Sequence, residues 1–145
     1  MKTRSILVVI VLISVVSTGF LCGSVSKSGK MGDLFYTHLQ SNDFQSIIKM
    51  LDKDALKQYT AEEWKKLFIS RNQFLGKIKS YKNTGFHTNT VEGTNVSILN
   101  YEVDNSNGLV YEEIEFVKRG NDYKILTYRF SPDIAGLKSN YNAPE

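Results

Sequence analysis

A single cysteine, Cys22, stands in 145 residues. No disulfide can close within the chain, and the roughly 120 residues beyond the first two dozen are enough to be held by their own core. Acidic residues are missing from positions 1–24, and that gap makes the chain look more basic than it is. Residues 25–145 hold 16 Lys and Arg against 15 Asp and Glu, a formal charge of +1. Binding a polyanion needs a concentrated basic surface, so this balance removes the case for a nucleic-acid partner. Lys77 and Lys79 share one face if they lie on a strand, which reads as a solvated sheet surface. Motifs that carry chemistry are lacking too. There is no Gly-rich phosphate loop, no HExxH and no nucleophile elbow. Neither His38 nor His87 has Cys, Asp or Glu at a metal-ligand spacing, so no metal and no cofactor is implied.

What is present begins at the start of the chain. Lys2 and Arg4 precede an unbroken apolar run, Ile6 to Val16, followed by Ser17, Thr18 and Gly19. A charged segment, an apolar segment and a small-residue patch are the parts an export machinery reads. Residues 1–24 are therefore expected to act as a signal peptide or membrane anchor that takes the protein to the periplasm, cell envelope or exterior. Three endings stay open. Cleavage fits the small side chains of Ser17-Thr18-Gly19 and Cys22-Gly23-Ser24. Lipidation of Cys22 would tether the protein, although Leu21 sits where a small residue is usual. Retention as an anchor would make residues 6–21 a short span, against the ~20 residues a bilayer usually needs.

Residues 25–30 read as a solvated Ser, Gly and Lys linker. From Met31 the pattern turns helical. Met31, Leu34, Phe35, His38 and Leu39 recur at three and four spacing, and Phe44, Ile47, Ile48 and Leu51 repeat it after Ser41-Asn42-Asp43. A third helix opens with the capping box of Thr60 and Glu63, buries Trp64, Leu67, Phe68, Arg71 and Leu75, and stops at Gly76. From Lys77 the period becomes alternating. Strands are expected over 77–87, 96–103, 109–118 and 123–130, with turns at Asp104 to Gly108 and Arg119 to Asp122 and a stop at Pro132. The fold class is therefore α+β, with N-terminal helices packed on a curved four-stranded antiparallel meander. One domain spans 31–132, and 133–145 form a C-terminal tail.

Trp64, Leu67, Arg71, Leu75-Gly76 and Ser80, together with Glu112-Glu113-Ile114, Gly120, Tyr123-Lys124-Ile125 and Tyr128, resemble a family of exported bacterial domains of unknown function. That family looks nuclear transport factor 2-like, also called cystatin-like, and usually has Trp where Tyr123 stands. The resemblance implies a cone-shaped roll with a cavity between helices and sheet. It brings no activity, because the wider superfamily contains enzymes, carriers and association modules alike.

Two residues on expected buried faces stand out. Arg71 lies among Leu67, Phe68 and Leu75, and Glu112 alternates with Val110, Ile114 and Phe116. A buried guanidinium needs an acceptor, and Glu112 is the obvious one, giving a pair that pins the long helix to the sheet. The other reading makes Arg71 the anion contact of a cone cavity, with Tyr101 or Tyr128 adding aromatic surface. His38 lies on the apolar face of the first helix, whereas Asp33 in the same helix falls off that stripe. Two functions follow. One is a non-enzymatic module binding a partner protein or a small amphiphilic ligand, with its sheet face open to pairing with a second copy, and touching the membrane only through its N-terminal segment. The other is a dehydratase or isomerase type of enzyme with His38 as base and Arg71 as charge stabiliser.

Overall fold

The computed structural model describes residues 27–133. Four helices, α1 (Lys27–Gln40), α2 (Phe44–Met50), α3 (Lys53–Gln58) and α4 (Ala61–Leu75), precede four strands, β1 (Ile78–Val91), β2 (Thr94–Asn105), β3 (Gly108–Arg119) and β4 (Asp122–Ser131). All neighbouring strands pair antiparallel in the order β1-β2-β3-β4. The expected α+β meander is thus the architecture. The expected signal segment, Cys22 and most of the C-terminal tail lie outside the described residues.

Helix α1 starts four residues earlier than its hydrophobic pattern suggests. Lys27 to Lys30, read from the sequence as linker, form its first turn, and Ser28 there is buried. The helix is also rotated. Its buried stripe is Ser28, Gly32, Phe35, Tyr36 and Leu39, while Leu34 is 42% exposed. Gly32 explains the rotation. A Cβ at this position would sit 2.0 Å from the Tyr101 hydroxyl oxygen and 3.3 Å from Leu99 Cδ1, so only a bare glycine lets the helix lie this close to β2. A glycine inside a helix costs about 1 kcal/mol in propensity. Here the close approach and the full burial of Tyr36 against the sheet offset that cost.

The helices after it are set by their ends. Asn42, with φ 57°, closes α1 in a Schellman arrangement, since Asp43 N–H donates to His38 O at 2.9 Å and Asn42 N–H to Leu39 O at 3.3 Å. Asp43 then caps α2 by accepting from Ser46 N–H at 3.1 Å. Helix α3 was not expected. It is only 6 residues long and buries Ala55 alone, too little for a periodic signal, and its existence rests on the Asp52 cap. Trp64 anchors α4 to it by donating from its indole nitrogen to Ala55 O at 3.2 Å. The capping box of Thr60 and Glu63 forms as the sequence indicates, and Gly76 ends α4 at φ 76°. Leu67, assigned from the sequence to the buried face of α4, is 38% exposed. Its spacing admits either flank of the stripe.

The sheet runs longer than its alternating pattern. β1 continues to Val91 and meets β2 through the two-residue turn Glu92-Gly93, with φ 49° and 77°. Positive φ at both positions is the backbone of the tight turn whose twist suits a hairpin. Irregular register at Ile78/Ser80 and Asn83/Gly85 in β1, and between Ile125 and Thr127 in β4 opposite Glu115/Phe116, marks bulges that bend strands and sharpen twist. Phe35, Tyr36, Leu39, Ile47, Phe68, Val103, Ile114, Phe116 and Ile125 fill the space between helices and sheet, each fully excluded from water. Asp52 N–H donates to Ile125 O at 2.7 Å and ties the turn before α3 to β4.

Replacing Gly32 by Ala should therefore destabilise the fold by about 1–3 kcal/mol despite the gain in helix propensity, because the new methyl overlaps the Tyr101 hydroxyl. In a Tyr101→Phe background the same replacement should cost much less. Urea denaturation of the four variants measures this, and a midpoint raised by Gly32→Ala alone would remove close packing as the reason for the glycine.

Candidate functional site

Arg71 sits on the inward face of α4, one turn beyond Phe68, where the helix crosses the sheet. It is the largest fully buried side chain among the described residues. Its Nε donates to Glu112 Oε1 at 3.0 Å and to Tyr128 Oη at 3.1 Å. Nη2 donates to the same Glu112 oxygen and to Asn105 Oδ1 at 3.0 Å, and Nη1 donates to Asn72 Oδ1 at 3.0 Å. The pair expected from the sequence is therefore formed, with both side chains fully shielded from water. Its geometry differs from a fork on two oxygens. Both guanidinium donors converge on Oε1, which leaves Oε2 free to accept from the Tyr36 hydroxyl at 2.9 Å.

Each group in this cluster has a role fixed by its surroundings. Burial is the first cause that pushes the Tyr36 and Tyr128 phenols well above their usual range, and the charge of Glu112 adds to it. Both therefore stay protonated, and Tyr36 serves Glu112 as a donor. Asn105 is held in turn, its amide donating to Val103 O at 3.0 Å. One positive and one negative charge thus lie in an apolar setting with polar partners on every side. Leaving either alone there would be costly, since a buried charge without its counter-charge loses its hydration without replacement.

The other sequence candidates are distributed elsewhere. Tyr101 is buried, packs edge-on against Tyr36 at 4.8 Å between ring centres, and has its hydroxyl beside Gly32. Burial, first among the causes, raises it to about 12. Tyr128 joins Arg71 directly. His38 does not: its Nδ1 lies 3.2 Å from Asp43 Oδ2 at the corner between α1 and α2, and the two share no partner with Arg71 among the described contacts. Asp33 is exposed, and His87 is exposed on β1. No group of three His, Cys, Asp or Glu side chains that could hold a metal occurs among the described residues. No described helix is long and apolar enough to cross a membrane.

Three members of the buried network escape a reading of the sequence. Tyr36 lies beside the assumed stripe of α1, and only the spacing of four from Gly32 points to it. Asn105 belongs to an Asn-rich turn and is indistinguishable there from a residue chosen for its backbone. Asn72 follows Arg71 and faces a cleft of about 410 Å³ lined by Leu39, Gln40, Asn42, Asn72, Gly76, Lys77 and Ile78. Its amide donates to Leu39 O at 3.0 Å and to Asn42 Oδ1 at 2.9 Å, so it separates Arg71 from that cleft.

A second ion pair was also missed. Arg119 forks onto Asp52, with Nε to Oδ2 and Nη2 to Oδ1 both at 2.9 Å, and Nη2 reaches Asp54 Oδ2 at 2.8 Å. The Arg119 hydrogen bonds are the leading cause that holds the Asp52 carboxyl down to about 2. Asp52 also accepts from Asp54 N–H at 3.0 Å, so one carboxylate caps α3 and clamps it to the turn between β3 and β4. Structural work accounts for all its contacts.

Comparison with known proteins adds the fold's place. No protein-family model matches the chain. No curated protein matches it either. Among solved structures it is similar to a Campylobacter jejuni protein provisionally assigned as a nuclear transport factor 2-like transpeptidase, with a TM-score of 0.55 and 14% identity over 70% of this chain and 99% of the other. At that identity the likeness speaks for the fold alone. Helices before a four-stranded antiparallel meander, a core between them and this structural match together give the chain a nuclear transport factor 2-like, cystatin-like fold.

Proposed function

We propose that this chain is an exported, non-enzymatic binding module of the bacterial cell envelope, built on a cone whose interior is filled by its own side chains. The observation that carries the reading is the closure of Arg71. Its three nitrogens are all occupied by Glu112, Tyr128, Asn105 and Asn72, and none of its surface reaches water. A guanidinium meant for a substrate carboxylate would hold donors in reserve towards a cavity. The dehydratase or isomerase reading asks for His38 and Arg71 in one enclosed space. His38 engages Asp43 at the helix corner instead. The partner is then a protein or a small amphiphile, met at the surface of the cone or in the cleft beside Asn72.

A double-mutant cycle tests the closed network. Arg71→Met or Glu112→Leu alone should cost ~3 to 5 kcal/mol by stranding one charge, whereas the double replacement should recover most of that loss. Acetate or methanesulfonate at millimolar concentration should leave the unfolding midpoint of the unchanged protein where it is. An anion-dependent rise that vanishes in Arg71→Met would make Arg71 a ligand contact by mass action and return the enzyme reading.

The exported location follows from Lys2, Arg4 and the run from Ile6 to Val16. Fractionation of expressing bacteria should place the protein outside the cytoplasm. Intact mass should show loss of about 19 to 24 N-terminal residues, a lipid increment on Cys22, or a retained anchor in the membrane fraction. Full-length soluble protein in the cytoplasm would contradict the reading.

A further inference from the structure

The outer edge of β1 is the longest stretch of backbone in the sheet that no described strand pairs. β1 has 14 residues and takes β2 on one side only. Edges of this kind are usually blunted by charge, bulges or proline, and here those devices are confined to the first half of the strand. Lys79 and Lys82 are exposed there, and both register irregularities of the pairing with β2 fall at or before Gly85. From Thr84 to Val91 the sequence TGFHTNTV contains no Lys, Arg, Asp, Glu or Pro. Phe86 is 45% exposed within it, and His87, Thr88, Asn89 and Thr90 are exposed as well.

The turn fixes which peptide groups face outward. Val91 and Thr94 close the two-residue Glu92-Gly93 turn, so they form a hydrogen-bonded pair, and antiparallel pairing alternates from there. His87 and Asn89 consequently bond to β2. Phe86, Thr88 and Thr90 sit at the non-bonded positions, with their N–H and C=O groups directed to the free edge.

We propose that this edge pairs antiparallel with the same segment of a second copy of the chain, about a two-fold axis at His87, to make a continuous eight-stranded sheet. The charges select this occupant and this register. A two-fold at His87 sets Phe86 opposite Thr88 of the copy, an aromatic and β-branched cross-strand pair, and brings the outward N–H and C=O groups of both strands into hydrogen-bonding positions. The segments then lie against each other with no Lys, Arg, Asp or Glu set opposite its like. Beyond the ends of that ladder, Lys82 of each copy lies toward the turn residue Glu92 of the other, so the exposed charges that flank the segment are of opposite sign. The inference goes beyond the binding-module reading and does not depend on it.

Single cysteines placed at residues 85 to 89 of the full chain test the register, with the unchanged chain giving the background from Cys22. Only a self-paired position brings two Cβ atoms within disulfide reach, so oxidised His87→Cys should give disulfide-linked dimer at least tenfold above Phe86→Cys and Thr88→Cys. Thr88→Pro removes an edge N–H without touching the ladder to β2, and Thr88→Lys adds a charge beside the axis. Either change in the His87→Cys chain should reduce the dimer at least tenfold, while Trp64 fluorescence reports whether the fold is kept. A cross-linking maximum at another residue, equal cross-linking along the segment, or dimer undiminished by both Thr88 changes would overturn the proposal.

Discussion

A salt bridge without water is the constraint around which this fold is arranged. Arg71 and Glu112 come from α4 and β3, 41 positions apart in the chain, and meet where neither can be solvated. Such a pair adds little net stability when measured against an apolar replacement, yet it penalises any arrangement that separates its members. Helix and sheet therefore have one relative position in which both charges are satisfied. The surrounding groups complete that specification, because the Tyr36 hydroxyl from α1, the Tyr128 hydroxyl from β4 and the Asn105 amide from β2 each bring another element to the same point.

The close seat of α1 follows from this convergence. Tyr36 reaches Glu112 only if its helix lies deep against the sheet, and Gly32 one turn earlier supplies the depth by placing no atom where the Tyr101 hydroxyl lies. Tyr36 and Tyr81 stack at 4.2 Å as a result, closing the β1 side of the cone with aromatic surface. The clamp of Arg119 on Asp52 does the corresponding work at the opposite end, where α3 meets the turn between β3 and β4. The cleft at Asn72 and the outer edge of β1 both lie away from this hydrogen-bonded cluster.

Much of this was legible from residue patterns. Capping at Thr60 and Glu63, the stop at Gly76, the four strands and the pairing of Arg71 with Glu112 all arise from local chemistry or from one unmistakable oddity, a charge on an apolar face. What was not legible depends on three-dimensional fit. The rotation of α1 away from Leu34 comes from the space left by Gly32, and glycine in a helical stretch carries no apolar signal. Helix α3 is shorter than two turns and shows no period. Asn105 and Arg119 sit among turn residues, where a sequence explains them by backbone preference before any partner 34 or 67 positions away can be imagined. His38 misled for the converse reason, since its place on the apolar stripe of α1 hid a local partner in Asp43.

The central claim is that the Arg71 cluster is sealed, and hydrogen exchange of the Arg71 Nε–H, followed by NMR in the full chain, tests it most directly. The account predicts that this proton exchanges only through global unfolding, with the same denaturant dependence as the slowest backbone amides of β3. Exchange that is orders of magnitude faster and indifferent to denaturant would show that the guanidinium opens to water in the folded protein, and would contradict the account.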